Sequence, residues 1–201
     1  MRVLVACEYS GTVRDAFISR GHDAVSCDLL PTDKPGPHYQ GDVFDIINDG
    51  FDLIIAHPPC TFLTNAGVCH LYNKDGSMND DRLGKMLDGA VFFKKLLDAP
   101  IKRRCIENPI MHRHAIEIVG RRQNQVVQPW MFGHMEQKAT CLWLEGLPLL
   151  KTTNDVKKEM MKLPNKERQR LHWLSPSPNR WKERSKTFQG LADAMAEQWS
   201  V

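Results

Sequence analysis

The stretch Asp52-Leu53-Ile54-Ile55-Ala56-His57-Pro58-Pro59-Cys60 decides the fold. Its apolar run shows no alternation with polar residues and stops abruptly at two prolines. That is how a strand buried on both faces reads, and such strands belong to sheets covered by helices on each side. Segments of the same kind lie on either side of it. Residues 2–7 read as a buried strand, 22–28 as a second and 102–107 as a later one, with further strands at 125–128 and 139–144. Helical patterns fall between them. Residues 12–20 carry Val13, Ala16 and Phe17 on one face, with Gly21 as the stop. Residues 80–98 form a long helix whose periodic face holds Leu83, Met86, Leu87, Ala90, Val91, Lys94 and Leu97, and 112–119 form a short one. Strand and helix alternate, which implies an α/β fold with a mostly parallel sheet.

Composition agrees with one compact domain. The 201 residues are 42% apolar and 25% charged, with 13 Gly and 12 Pro. No apolar run reaches the length of a membrane span. The N-terminus runs into Glu8 without signal-peptide anatomy, so a cytoplasmic protein is expected. Collagen, coiled-coil, mucin and disordered-tail readings are excluded. The six cysteines are then expected as reduced thiols. No CxxC pair occurs, which leaves thioredoxin and zinc-ribbon readings without support, and no metal is expected. Cys7, Cys27, Cys105 and Cys141 read as small core residues.

The net charge of +3 is unevenly placed. Residues 151–186 hold 11 basic and 4 acidic side chains, a local +7, against −4 for the rest. This segment is rich in Lys, Pro and Ser and carries Trp173 and Trp181. It reads as an excursion from the domain, facing a polyanion or simply solvent. Residues 187–199 then close the fold as a helix with Phe188, Leu191, Met195 and Trp199 on one face. The expected organisation is a core over 1–150, a basic insertion over 151–186 and a returning helix over 187–201.

Ligands of open α/β sheets bind beyond the carboxyl ends of the strands. After the first strand comes the polar turn Glu8-Tyr9-Ser10-Gly11-Thr12, and Asp28 ends the second, placed to hold ribose hydroxyls. The layout fits NAD, FAD or S-adenosylmethionine, although GxGxxG is absent. Pro58-Pro59 freezes the chain and positions Cys60, a thiol suited to nucleophilic attack. Glu107-Asn108-Pro109 ends the neighbouring strand. Its carboxylate can hold a base edge, or donate a proton if its pKa is raised.

Together these motifs resemble the cytosine-C5 DNA methyltransferases, most nearly the short phage-type, DNA methylase-like members. Ala6-Cys7-Glu8-Tyr9-Ser10-Gly11 is similar to the family's cofactor loop, Asp28 to its ribose acid and Gly41-Asp42-Val43 to its adenine-contacting motif. His57-Pro58-Pro59-Cys60-Thr61-Phe62-Leu63-Thr64 resembles the catalytic loop, Asp81-Arg82 a helix-opening motif and Glu107-Asn108-Pro109 the Glu-Asn-Val motif. Arg184-Ser185-Lys186-Thr187-Phe188-Gln189-Gly190 resembles a closing motif of the short branch. Tyr9 stands where the family commonly has glycine. Gln128-Pro129-Trp130-Met131-Phe132-Gly133 occupies the place of its Gln-x-Arg-x-Arg motif, and residues 151–186 that of its large target-recognition domain.

The resemblance implies a Rossmann-like, S-adenosylmethionine-dependent methyltransferase fold acting on DNA. Cys60 would attack cytosine C6 while Glu107 handles N3 as charge builds, so that C5 can take a methyl group. The cofactor would be held by Glu8, Tyr9, Ser10, Gly11, Val13, Asp28, Asp42 and Pro58. The substrate would be held by Pro59 and Asn108, and by Arg180, Lys182 and Arg184 of the basic segment. RNA, a free nucleotide, or a binding role without catalysis are the alternatives.

Overall fold

A computed structural model describes residues 1–200. Its centre is a seven-stranded sheet in the order β3-β2-β1-β4-β5-β7-β6. The strands are β1 (Arg2–Ala6), β2 (Asp23–Asp28), β3 (His38–Gln40), β4 (Leu53–Ala56), β5 (Arg103–Asn108), β6 (Gln125–Val127) and β7 (Thr140–Glu145). β3, β2, β1, β4 and β5 run parallel, and β7 runs antiparallel to both of its neighbours, β5 and β6. The expected α/β, Rossmann-like architecture, with helices on both faces, is present.

The central strands divide their side chains between two cores. Leu4, Ala6, Ile54, Ala56 and Ile106 face one side, packed under α2 (Asp80–Leu97) and α3 (Arg113–Val119). Val3, Val5, Leu53, Ile55 and Cys105 face the other, under α1 (Thr12–Ile18) and α8 (Gln189–Gln198). Both faces are buried, which explains the unbroken apolar runs. The chain leaves β1 towards β2 and β3 on one side, and β4 and β5 lie on the other. The crevice where these directions part is therefore at the carboxyl ends of β1 and β4.

Several expectations need adjustment. β3 was not foreseen, because His38-Tyr39-Gln40 has no strand pattern of its own. It forms by pairing with Ser26, Cys27 and Asp28 of β2. The buried row of α2 is Met86, Ala90, Phe93 and Leu97, with Leu96 beside it. Leu87 and Val91 are exposed, and Lys94 pairs with Asp98 at 3.1 Å. Phe93, missed from the sequence, meets Trp143 edge-on at 4.9 Å and draws the helix round. Cys27, Cys105 and Cys141 are buried, but Cys7 lies past β1 at φ 56°, a left-handed turn that ends the strand. Residues 151–186 fold into four short helices, α4 (Lys157–Met160), α5 (Asn165–Arg168), α6 (Arg170–Trp173) and α7 (Arg180–Ser185). Pro164, Pro176 and Pro178 keep them short.

No helix among the described residues is long and apolar enough to cross a membrane. One further anchor was not foreseen. Arg14 of α1 is fully buried, paired with Asp15 at 2.8 Å and hydrogen-bonded to Ser26, Thr32 and the carbonyls of Lys34, Pro35 and Pro37. It fixes the loop between β2 and β3.

α8 seals the second core. Trp199 is fully buried and donates its indole N–H to the Pro148 carbonyl at 3.0 Å. Trp199→Ala is expected to cost about 3–5 kcal/mol, the range for deleting a buried aromatic ring. Denaturant unfolding measures it, and a loss under about 1 kcal/mol would mean that α8 is not part of the folded core.

Candidate active site

The parallel register brings the expected site together. Ala6 pairs with Ala56, and Ala56 with Ile106. The residues one step beyond, Cys7, His57 and Glu107, therefore lie at one level; Cys7 and His57 have left the sheet, while Glu107 is still paired with Leu142 of β7. His57 N–H continues the ladder to the Ala6 carbonyl at 2.9 Å.

The turn after β1 is held from within. Glu8 is 4% exposed, and its carboxylate accepts from Val13 N–H at 2.7 Å and Arg14 N–H at 3.2 Å. It thereby caps α1, where Gly11 takes φ 68°. Ser10 is buried between Glu8 and Thr12, at 3.2 Å from each. Val13 points into the core. Glu8, Ser10 and Val13 thus build the turn, and the surface they leave at the crevice is largely backbone. The first N–H groups of α1 are thus taken, Thr12 by Ser10 Oγ and Val13 and Arg14 by the Glu8 carboxylate.

Asp28 and Asp42 follow β2 and β3. Asp28 is half-buried, accepts from Leu30 N–H at 2.9 Å and has its pKa raised by burial. Asp42 is exposed and accepts from Phe44 N–H at 3.0 Å.

Pro58 is buried and its carbonyl accepts from the Asn108 side chain at 3.2 Å, so the end of β5 pins the turn after β4. Pro59 is exposed beside it. Asn108 is almost fully buried and leaves its Oδ1 without a partner. Beyond Cys60 the loop is clamped twice. Arg82 lies over the Phe62 ring at 4.5 Å and donates to the Thr61 carbonyl at 3.0 Å. His112 contacts the Phe62 carbonyl at 3.0 Å through Nε2.

The structure sets the protonation of the two groups that the sequence left open. Burial raises the pKa of the Cys60 thiol, and the nearby Glu107 charge adds to this; Lys138 and Arg184 work against it. Cys60 is therefore a thiol at neutral pH rather than a ready thiolate. Burial by itself would raise Glu107 too, but hydrogen bonding and charge from His57, with help from Lys138, hold it below the usual carboxylate range. Glu107 is ionised in the free protein and is not a standing proton donor. His57, absent from the sequence-based site, makes this difference: its Nδ1 lies 3.1 Å from Glu107 Oε2. A histidine immediately before Pro-Pro was the available signal.

The basic segment reaches the same crevice through α7. The Tyr9 hydroxyl donates to the Lys182 carbonyl at 2.9 Å and lies 3.0 Å from Ser185 Oγ. The Tyr9 ring lies 5.8 Å from that of Trp181. Tyr9 therefore spends its side chain on α7. Lys182 Nζ sits over both rings. Arg180 donates to the His172 carbonyl at 3.2 Å, Arg184 is exposed, and Lys186 pairs with Asp33 at 3.2 Å. Lys138 donates to the Arg184 carbonyl at 2.8 Å. Trp173 and Trp181 are 53% and 50% exposed, so neither is a core residue. An open cleft of about 590 Å³ runs between Glu136, Lys166, Arg170 and Trp173. A second, of about 340 Å³, lies between Pro176, Arg180, Trp181 and Arg184.

No family model matches the sequence, and no curated protein matches it. Among solved structures, the chain is similar to a candidate DNA modification methyltransferase encoded within an E. coli prophage, at 16% identity and a TM-score of 0.44 over 82% of this chain and 56% of that one. It is also similar to the Entamoeba histolytica methyltransferase EhMeth, at 13% identity and a TM-score of 0.49 over 77% of this chain and 57% of that one. The chain spans a little over half the length of each.

The Cys60–Glu107 relation can be tested without a substrate. Glu107→Gln removes the negative charge that raises the thiol. Alkylation of Cys60 by iodoacetamide near neutral pH should then speed up several-fold, because the thiolate fraction rises as the thiol pKa falls. Peptide mass spectrometry separates Cys60 from the exposed Cys69. An unchanged Cys60 rate would show that the carboxylate does not act on the thiol.

Proposed function

We propose that the protein transfers a methyl group from S-adenosylmethionine to C5 of cytosine in DNA. The observation that carries this reading is Cys60, set by the Pro58-Pro59 turn at the end of β4, within electrostatic reach of Glu107 at the end of β5. The resemblance read from the sequence supports the same reaction.

The cofactor would lie along the Glu8–Gly11 backbone, with Asp28 and Asp42 towards its ribose and base. When bound, it supplies an electrophilic methyl group on a sulfonium. Everything else falls to the chain. Cytosine C5 is a poor nucleophile until C6 carries an added group. The Cys60 thiol gives up its proton to solvent as its sulfur forms a bond to C6, and the electron pair of the C5–C6 double bond moves into the ring towards N3. Glu107 presents a proton there, so the ring does not accumulate charge. To do so the carboxylate must first take up a proton, and while it holds that proton it lacks the charge that helps to keep Cys60 protonated. Binding of the base thus favours formation of the thiolate. Once C5 is substituted, loss of its proton and then of the Cys60 sulfur restores the aromatic ring.

A base in a duplex must leave the stack to reach Cys60. Residues 151–186, with their basic side chains and half-exposed indoles, would hold the strand by phosphate contact and stacking.

The reaction is read by expressing the protein in a host lacking 5-methylcytosine and separating the nucleosides of its DNA by mass. 5-Methylcytosine is expected with the wild type. Cys60→Ser should lower it by at least about 10³-fold, as expected when a covalent nucleophile is removed. Methylated RNA with unmodified DNA would reassign the substrate. No methylation, or full activity of Cys60→Ser, would reject the reading.

The strand-holding role has its own test. Neutralising Arg180, Lys182 and Arg184 together should reduce the salt slope of DNA binding by about 2–3 units, one for each phosphate that these side chains neutralise. A constant slope would make these residues a solvated face.

A further inference from the structure

Glu107 is ionised in the free protein, yet a carboxylate facing cytosine N3 has to present a proton to it. The source of that proton is unassigned. Among the groups that hydrogen-bond Glu107 Oε2, His57 stands out by geometry. Its Nδ1 lies at 3.1 Å, and side-chain exposure is only 9% for His57 and 16% for Glu107. The parallel register enforces the contact, since His57 and Glu107 each follow a paired strand residue, Ala56 and Ile106. The other ring nitrogen, Nε2, is buried with no partner. The ring's single fixed bond is the Nδ1 contact to Glu107, and it is through this nitrogen that a proton can pass.

We propose that His57 is a positioning residue that also stores the proton Glu107 delivers to the target base. The inference rests on the cytosine reading and goes beyond it by adding a residue and a protonation cycle. In the loaded state the imidazolium donates Nδ1–H to the ionised carboxylate. As the Cys60 sulfur bonds to C6, the Nδ1 proton passes to Glu107 and the carboxyl proton to N3. His57 is left neutral with its remaining proton on Nε2. Elimination of the sulfur runs the sequence backwards: N3 returns its proton through Glu107 to Nδ1. No oxidant or metal is required; the Cys60 thiol proton leaves to solvent on addition and is regained on elimination, so the proton count closes over the cycle.

The surroundings fit a cationic ring acting beside one anion. The titratable and charged groups about the couple are Cys60 beyond β4, Cys105 on β5, Cys141 on β7, Lys138 ahead of β7 and Arg184 of α7. The three thiols stay protonated near neutral pH, because burial raises each. Glu107 is the only anion in this group.

Addition of Cys60 at C6 also lets C5 exchange its hydrogen with solvent, so the cycle can be read with no methyl donor present. The measurement is incorporation of deuterium at C5 of cytosine in an oligonucleotide, by mass spectrometry, across a pH series in D₂O. The wild-type rate should rise as Cys60 ionises and fall again on the alkaline side as the His57–Glu107 couple loses its stored proton. In His57→Gln an amide N–H can still brace Glu107 but cannot titrate. The rate near neutrality should drop about 10- to 100-fold, towards the scale of a lost acid catalyst, and the alkaline fall should disappear. A wild type with no alkaline fall overturns the proposal without any variant being made. An alkaline fall that persists in His57→Gln overturns it as well, and leaves His57 a brace. Absence of exchange in the wild type at every pH overturns the cytosine reading and this inference with it. Exchange with an unaltered variant overturns the inference alone.

Discussion

The shared register of β1, β4 and β5 is the constraint on which the rest depends. Parallel pairing sets Ala6 against Ala56 and Ala56 against Ile106, so β1 and β4 end level with each other and beside Glu107 of β5, which runs on to Asn108. The buried strands cannot slip by one residue, since that would turn Leu4, Ile54 and their neighbours to the wrong core. From this register follow the His57–Glu107 contact, the hydrogen bond from Asn108 to the Pro58 carbonyl, and the approach of Cys60 to Glu107. The chemistry is thus positioned by the most stable part of the fold, and the prolines carry that rigidity one turn further to the thiol.

A second layer closes over this edge. α7 is only six residues long and would not persist by itself. It is held by Tyr9, by the Lys186–Asp33 pair and by Lys138 on the Arg184 carbonyl. Tyr9 belongs to the turn after β1, and Lys138 and Arg184 also bear on Cys60. One short helix therefore touches the turn expected to hold the cofactor, the nucleophile and the basic surface. A strand bound along 151–186 would meet a helix already anchored to both halves of the crevice.

The α/β alternation and most strand positions were legible in the sequence, because buried parallel strands write themselves as apolar runs. The placement of Cys60 and Glu107 at strand ends was legible because each lies at the close of such a run. What escaped depended on partners distant in the chain. β3 exists only by pairing with β2, and the true face of α2 is selected by Trp143. The side chains of Glu8, Ser10 and Val13 turned out to build the turn, since α1 begins so soon after β1 that the carboxylate can reach its N–H groups. His57 was passed over because register decides what stands opposite it, and register is not written in local pattern. Protonation was left open in the sequence for the same reason. Burial and the Glu107 charge raise Cys60, while His57 lowers Glu107, and none of these can be read from either motif alone.

The central claim is a covalent bond between Cys60 and cytosine C6. An oligonucleotide carrying 5-fluorocytosine tests it most directly, because fluorine at C5 cannot leave as a proton does and the ring stays attached to sulfur. Incubated with this DNA and S-adenosylmethionine, the protein should gain the mass of the oligonucleotide plus a methyl group, with the modification mapping to the Cys60 peptide. A protein that methylates cytosine yet forms no such adduct, or forms it at another residue, would contradict the account.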